Sequence, residues 1–186
     1  MSHRLPDHIH AGVQILFVGI NPGLRSAQLG HHFAGFSNRF WKLLYDSRLV
    51  TRPLTYHEDW RLPEWGLGLT NLISRCSAGI DVLEPVEYRR GKARLERKLD
   101  RYQPLVVAIL GVTIMRILFP GEHPLELGMT RVQLTGIPLF LLPNPSGRNA
   151  HYSYERMLAA FRELHQVVQE PRHRHLGTFR ASPSAL

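Results

Sequence analysis

The 186-residue chain lacks several features that would place it in a familiar class of protein. It has a single cysteine, Cys76, so an internal disulfide, a cysteine-ligated iron–sulfur cluster and a cysteine-rich zinc site are excluded. No apolar run approaches the ~20 residues that a membrane-spanning helix needs, so we expect no membrane partner. The first ten residues, MSHRLPDHIH, contain no apolar stretch typical of a signal peptide, which predicts a cytoplasmic protein.

The motifs of the common nucleotide-binding and hydrolytic enzymes are also missing. Neither a GxGxxG fingerprint nor a Walker phosphate loop occurs, so dinucleotide and NTP binding have no support. The absence of GxSxG argues against an α/β-hydrolase. His31 and His32 are adjacent and cannot face one point on a regular element, and no HExxH accompanies them. We therefore expect neither a metal nor a cofactor.

Acidic residues are scarce relative to basic ones. The chain has 15 Asp and Glu against 23 Lys and Arg, a formal net charge of +8 with His neutral. Such an excess favours polyanionic partners, nucleic acid first. The alternative is that the charge only keeps the protein soluble. Hydrophobic residues make up 44% of the chain, which is typical of a globular protein and not of a disordered one.

Apolar runs alternate with amphipathic stretches, which predicts a three-layer α/β/α sandwich around a central, mostly parallel sheet. We expect a single domain over residues 1–170 and a basic, flexible tail over residues 171–186. The predicted strands are 15–18, 66–73, 105–110, 132–134 and 139–142. One predicted helix begins near residue 37. Three others cover about 85–101, 111–119 and 153–169.

Two further stretches are expected to be irregular. Residues 24–35, LRSAQLGHHFAG, are predicted to form a long loop, and long loops in compact domains are often functional. Ser37 is then expected to cap a helix whose buried stripe contains Phe36 and Phe40. Residues 50–65 are predicted to be an irregular connection.

The stretch Ile15–Gly23, ILFVGINPG, is the most informative part of the chain. Four bulky apolar residues predict a buried strand, and Gly19 lets the backbone turn. Asn21 then follows at the carboxyl end of the strand, where open parallel sheets bind their ligands. The alternative is an ordinary strand-to-helix turn in which Asn21 only favours a left-handed conformation.

A second Asn-Pro step, Asn144-Pro145, follows the last predicted strand. The surrounding segment 143–153, PNPSGRNAHYS, consists of turn-forming residues. If the two strands that precede Asn21 and Asn144 are parallel neighbours, their loops face one crevice and grip a ligand from two sides.

Three motifs in order along the chain carry a resemblance to a known family. GINPG at 19–23, GHHFAGFSNRFW at 30–41 and NPSG at 144–147 resemble the mismatch-specific uracil/thymine-DNA glycosylases of the uracil-DNA glycosylase superfamily. The resemblance extends over about residues 13–166. It implies a monomeric enzyme that hydrolyses the N-glycosidic bond of a uracil flipped out of double-stranded DNA and leaves an abasic site. No metal or redox cofactor is needed for this reaction.

The resemblance also implies roles for individual residues. Asn21 orients the attacking water, and the backbone N–H groups around Ile20 stabilise charge on the departing base. Phe33 stacks on the flipped base, with simple loop packing as its alternative role. The remaining base-binding positions are Ser26, at the pyrimidine C5 edge, His32 and Asn38, which ties loop backbone together.

Substrate breadth is left open by these residues. A serine at position 26 leaves less room for a thymine methyl than alanine would, which favours uracil. His32 lies in a GHH segment that also occurs in the thymine-processing branch, which favours the opposite conclusion. Uracil opposite guanine is the expected substrate, with thymine and ethenocytosine as further candidates.

The NPSG loop is where the family inserts a wedge into the gap left by the flipped base. The residues concerned are Asn144, Ser146, Gly147, Arg148 and Asn149. Arg148 occupies a position where bacterial relatives carry leucine. Its guanidinium can stack in the gap or pair with a guanine edge, and the alternative is contact with backbone phosphate alone.

Asp81 is a second position, after Arg148, at which the chain departs from the family pattern. Some branches of the superfamily use a carboxylate after the second strand to activate water. The alternatives are that Asp81 caps the next helix or lies in solvent. A rival function for the whole chain is a basic nucleic-acid-binding module that keeps the fold without activity.

Overall fold

The computed structural model describes residues 5–121 and 125–169, and the predicted tail at 171–186 lies outside them. The described residues form one five-stranded sheet with the order β2-β1-β3-β5-β4. Its strands are β1 (Ile15–Gly19), β2 (Leu67–Asn71), β3 (Val106–Leu110), β4 (Gly128–Leu134) and β5 (Ile137–Leu142). All neighbours pair in parallel except β4 and β5.

Helices cover both faces of this sheet. They are α1 (Leu24–Leu29), α2 (Phe40–Asp46), α3 (Pro85–Tyr102), α4 (Val112–Leu118) and α5 (Tyr154–Gln169), with a 3-10 helix at Tyr56–Trp65. The core on one face includes residues of α2, α5 and the 3-10 helix, and the core on the other includes residues of α3 and α4. The predicted three-layer α/β/α sandwich is therefore confirmed. None of the helices in the described ranges is long and apolar enough to cross a membrane.

The strand that precedes the GINPG loop is held rigidly by the core. Every residue of β1 is buried, and the Phe17 ring lies 5.3 Å from the Phe40 ring and 6.2 Å from the Phe161 ring. Replacing such a buried Phe by Ala costs about 3–5 kcal/mol. The end of β1 is thus a fixed platform for the residues that follow it.

Several local predictions were wrong. Residues 24–29 form α1, which ends at Gly30 in a left-handed conformation, rather than a loop. Ser37 does not cap α2, because the helix begins only at Phe40, and Phe36 is 89% exposed instead of buried. The physical reason is that the intervening backbone is bonded elsewhere: the Arg39 N–H donates to the Pro145 carbonyl at 2.9 Å.

Two other segments are more regular than predicted. The 3-10 helix occupies most of residues 50–65 and begins with a capping box between Thr55 and Glu58. Strand β4 begins at Gly128, before the predicted start at residue 132, because β5 supplies an antiparallel partner for it.

The strands β1 and β5, which precede the two Asn-Pro steps, are not neighbours. Strand β3 lies between them and pairs in parallel with both. Both strands nevertheless end at the same edge of the sheet, so their loops converge there across the width of one strand.

Candidate active site

A cleft of about 560 Å³ opens at the carboxyl edge of the parallel strands. The loops that follow β1, α1, β2 and β5 form its walls. Among the described residues that line it, Arg25 and Arg148 carry formal charges and none is acidic. The cleft is therefore suited to an anionic ligand.

The side chain of Asn21 has a defined orientation in this cleft. Its Nδ2 donates to the carbonyl oxygens of Pro22 and Arg75, each at 3.2 Å, and to Ser77 Oγ at 2.7 Å. Because two of these partners are carbonyls, which only accept, the amide nitrogen must face them. The opposite end of the amide, Oδ1, is then the group available to a ligand as an acceptor.

Ser77 fixes the direction of its bond to Asn21. Its hydroxyl donates to the Gly79 carbonyl at 2.5 Å, so its oxygen accepts from Asn21. The Ser77 N–H donates to the Pro22 carbonyl at 3.2 Å, and Gly23 and Ser77 form an isolated parallel bridge. The segment after β2 therefore continues the sheet pairing alongside the GINPG loop.

The same segment is attached to α3 by an ion pair. Arg75 donates through Nε and Nη2 to both carboxylate oxygens of Glu87 at 2.9 and 2.8 Å. The pKa of Glu87 falls to about 2, because Arg75 and the Glu84 backbone N–H both donate to its carboxylate. This bidentate ion pair restricts the loop after β2, in which the Arg75 carbonyl accepts a hydrogen bond from Asn21.

Phe33 forms a second wall of the cleft. It adopts a left-handed backbone conformation with φ of 52°, which is uncommon for a residue other than glycine. Its ring stacks on the buried ring of Phe40 at 4.1 Å, with 30° between the planes. The half-buried ring is thus supported on its core side and lines the cleft.

Asn71 lines the cleft at the end of β2. A Cβ on Gly19 would lie only 2.7 Å from Asn71 Oδ1. Any side chain at position 19 would therefore displace the Asn71 amide. Its Nδ2 lies 3.5 Å from His32 Nδ1. His32 is 2% exposed, and its Nε2 lies 2.9 Å from the Pro6 carbonyl, which assigns the ring proton to Nε2. Burial lowers the pKa of His32 and favours this neutral form.

A buried carboxylate, Asp59, holds the loop before Phe33. It is 1% exposed and accepts the His32 backbone N–H at 2.9 Å. His31 Nδ1 lies 3.1 Å from its Oδ1, and His8 Nε2 lies 3.3 Å from its Oδ2. Burial raises the pKa of Asp59, but the contacts with His8, the His32 N–H and His31 outweigh this and lower it to about 2.

Ser26 and Asn38 also use their side chains to order this region. Ser26 is 7% exposed, and its Oγ accepts the Ala34 N–H at 3.0 Å while the residue lines the cleft. Asn38 Oδ1 accepts the Phe40 N–H at 2.9 Å, at the start of α2. Both residues therefore determine the shape of the walls around Phe33.

The NPSG loop is closed by bonds among its own residues. Asn144 Oδ1 accepts the Ser146 N–H at 2.9 Å, and Asn149 Nδ2 donates to the Asn144 carbonyl at 2.9 Å. Arg148 is exposed, and its Nη1 lies 3.5 Å from the Ala78 carbonyl across the cleft. The structure thus brings the residues predicted to form the wedge opposite the loop that contacts Asn21.

The NPSG loop also touches the loop before α2. A Cβ on Gly147 would lie 2.6 Å from the Ser37 carbonyl oxygen and closer still to the Ser37 side chain. Only glycine permits this approach.

Ile20 lines the cleft beside Asn21, but Asp81 does not. Asp81 is exposed, and the N-cap of α3 is Glu84. Of the predicted alternatives, the structure excludes capping for Asp81 and places it in solvent. In the described ranges, no three or more His, Cys, Asp or Glu side chains are grouped as a metal site requires.

Asn71, Ser77 and Arg75 were not predicted as site residues, and Asn71 fell only within the predicted strand 66–73. A usable signal existed, because polar residues follow β2 just as they follow β1. The pairing of the two strands was the missing information.

The fold and the cleft define a class of protein: an α/β/α sandwich with a polar, arginine-bearing site at the carboxyl edge of its parallel strands. Residues 6–167 match the family model of the uracil DNA glycosylase superfamily, and the chain belongs to that superfamily. Its members are DNA glycosylases, hydrolases that act on DNA in base excision repair.

A solved structure shares the fold. It is the solution NMR structure of a proposed uracil DNA glycosylase from Methanosarcina acetivorans, with a TM-score of 0.60 and 19% sequence identity. The similarity covers 89% of this chain and 99% of that one. At this identity the match supports the fold alone.

Proposed function

We propose that the chain is a monofunctional DNA glycosylase that removes uracil from duplex DNA, preferentially from G·U mismatches, and leaves an abasic site. The observation that carries this proposal is the fixed amide of Asn21. Its nitrogen is engaged by three acceptors, two of them on the loop after β2, so its oxygen stays free to accept a hydrogen bond in the cleft that Asn21 lines. We further propose that the protein acts as a monomer in the cytoplasm.

In this mechanism Asn21 positions water instead of deprotonating it. An amide is a poor base, but its oxygen can accept a hydrogen bond from the water and so aim a lone pair of the water oxygen at the anomeric carbon. The sugar develops oxocarbenium character as the base departs, so a correctly placed water suffices. Positioning of this kind accounts for large rate effects because the entropy of bringing the reactants together is already lost on binding.

The base itself would be held between Phe33 and the end of β1. The Phe33 ring offers a stacking surface supported by Phe40, and the backbone N–H groups of Ile20 and Asn21 would stabilise negative charge on the departing base. Asn71 also lines the cleft. An amide oxygen complements the N3–H of uracil, so we assign base reading to Asn71 as well.

Ser26 is proposed to limit the substrate to uracil. Its hydroxyl is tied to the Ala34 backbone, so its side chain cannot rotate freely to admit a methyl group at C5. His32 would act indirectly, through its contact with Asn71. Thymine and ethenocytosine are expected to be poorer substrates, and Ser26→Ala should increase the rate with thymine more than the rate with uracil.

The NPSG loop is proposed to occupy the gap in the duplex. Arg148 is its exposed cationic residue, and Asn144, Ser146, Gly147 and Asn149 form the turn that presents it. Stacking of the guanidinium in the gap would let Arg148 pair with the guanine left behind.

The decisive experiment is a strand-cleavage assay with purified protein and G·U duplex, followed by alkaline treatment. We expect cleavage by the wild-type chain and loss of cleavage in Asn21→Ala. Asp81→Ala tests the rival base in the same assay, and its exposed position leads us to expect an unchanged rate. Duplexes left intact across a panel of uracil, thymine, ethenocytosine and hypoxanthine would instead favour a binding module without activity.

A further inference from the structure

The most exposed large apolar side chain in the described residues lies at the cleft. Phe36 is 89% exposed and lines the cleft on the loop between α1 and α2. Leu24 and Ile80, which also line the cleft, are 55% and 40% exposed. Exposed apolar side chains that share one cleft mark binding sites, so the position of Phe36 beside Leu24 and Ile80 points to a ligand.

The ring of Phe36 is held in place before any ligand arrives. The Arg25 guanidinium carbon lies 3.6 Å from its centroid, so a cation covers one face. Arg25 is itself fixed, because its Nε donates to the Ala34 carbonyl at 2.8 Å. A preorganised ring loses little conformational entropy when a planar group packs against its open side.

Phe36 also lies next to the NPSG loop. Its neighbour Ser37 is in direct contact with Gly147, which precedes Arg148. Phe36 and Arg148 therefore flank the same contact between two loops, and each is exposed at the cleft.

We propose that Phe36 is a second stacking element, which packs its free side against a base of duplex DNA bordering the gap left by the flipped nucleotide. This inference rests on the proposed function. A flipped nucleotide leaves neighbouring bases without a stacking partner, and an aromatic side chain at the gap replaces that partner. Arg25, beneath the ring, adds a positive charge close to the phosphates.

Charge favours DNA over an apolar protein segment as the occupant. The described lining of the cleft contains arginines and no acidic residue, and Phe36 stacks on one of those arginines. A protein-docking patch would instead present contiguous apolar surface without a cation stacked on its central ring.

The test uses a G-containing duplex with a tetrahydrofuran abasic analogue and 2-aminopurine as the adjacent base. Binding of the wild-type protein should quench 2-aminopurine by stacking. Phe36→Ala should abolish this quenching and weaken binding on the order of 10-fold, as expected for loss of one base–aromatic stack. Phe36→Trp should retain both properties. The melting temperature should stay unchanged, because the ring is exposed.

Trp60→Ala is the matched control. Trp60 is 61% exposed and lies beside Arg61, with 5.7 Å between its ring centroid and the guanidinium carbon, but it does not line the cleft. It should bind and quench like the wild-type protein.

Two results would overturn the inference: Phe36→Ala behaving like Trp60→Ala, or Phe36→Leu retaining full quenching and affinity. The second result would show that any apolar side chain at position 36 suffices and that no aromatic stacking takes place. The proposed function is tested separately by the strand-cleavage assay, and it fails if the wild-type protein does not cleave G·U duplex. The quenching assay requires no cleavage.

Discussion

The two Asn-Pro steps of this chain have the same sequence and opposite structural settings. Both follow a parallel strand at the same edge of the sheet. Asn21 is half-buried and donates to Arg75 and Ser77, 54 and 56 residues further along the chain. Asn144 is exposed, and its side chain accepts the N–H of Ser146, two residues away.

The difference shows that the dipeptide does not carry the chemistry. Asn144 uses its side-chain oxygen to close its own turn, so that oxygen is occupied by backbone. Asn21 uses its nitrogen to bind a distant loop, so its oxygen stays available. The long-range partners turn one of two equivalent asparagines into a candidate catalytic residue.

The largest expected effect is the difference between two single variants, in which either Asn21 or Asn144 is replaced by alanine. Asn21→Ala should lower the single-turnover rate on G·U duplex by at least ~100-fold, because the water loses its orienting group. Asn144→Ala should lower it by less than about 10-fold, because a turn hydrogen bond typically contributes only ~1 kcal/mol. Equal losses in the two variants would contradict the comparison.

The next largest effect is expected at the long-range partner of Asn21. Ser77→Ala removes the shortest of the three hydrogen bonds of the Asn21 amide and loosens its orientation, so the single-turnover rate should fall about 10- to 100-fold. The KM should change little, because Ser77 acts on Asn21. Ser77→Thr keeps the hydroxyl and should restore most of the rate. A Ser77→Ala rate equal to wild type would remove the claim that Ser77 positions Asn21.

The third effect concerns the NPSG loop, which contains Asn144 and precedes Arg148. Arg148→Ala should weaken duplex binding and reduce the slope of log K against log salt by about 1 if the guanidinium contacts phosphate. Insertion into the gap predicts in addition a smaller preference for guanine opposite the lesion. Titration at several salt concentrations, with guanine or adenine opposite, separates these two roles. An unchanged affinity and preference would exclude both.

The smallest effect on catalysis, and a clear one on stability, is expected at Asp59, which supports the wall opposite Asn21. Its pKa of about 2 lies below the ordinary 3.8, so the ionised form stabilises the folded state. Asp59→Asn should therefore lower the free energy of unfolding by about 2 kcal/mol at pH 7.

The pH dependence follows from the same shift. The contribution of Asp59 is complete above about pH 4 and is lost as the pH falls towards 2, so the stabilities of wild type and variant should converge there. Denaturant unfolding at pH 7, 4 and 2.5 measures the difference. A constant difference across this range would show that the carboxylate charge is not responsible. Glu163→Gln, a change at a surface position on α5, is a suitable control.

Much of the frame was predictable from local sequence. Strand β3, helix α3 and helix α5 were predicted to within a few residues, because apolar period and proline positions mark them. The same apolar period led to a wrong prediction for Phe36. It falls on the helical period of α2, but the helix starts four residues later, where the backbone is no longer bonded to the NPSG loop.

The site was predictable in part. Asn21 and Phe33 were singled out from motifs, and both line the cleft. Asn71, Ser77 and Asp59 were not, because the polar residues after β2 and the carboxylate in the 3-10 helix join the site only through strand pairing and contacts that the local sequence does not show. Their significance comes from contacts made 27 to 56 residues away in the chain.

The sequence by itself determined the α/β alternation, the basic charge and the placement of Asn21 just after a buried strand, because periodicity, composition and turn chemistry are local properties. The tertiary structure alone decided which end of the Asn21 amide is already bonded and which is free, since that depends on a carbonyl and a hydroxyl delivered by the loop after β2. It likewise decided that Phe36 lies in solvent, since the close contact of Ser37 with Gly147 joins two distant loops. Hydrogen-bond direction and close backbone approach depend on three-dimensional neighbours, and these exist only once the strands have paired.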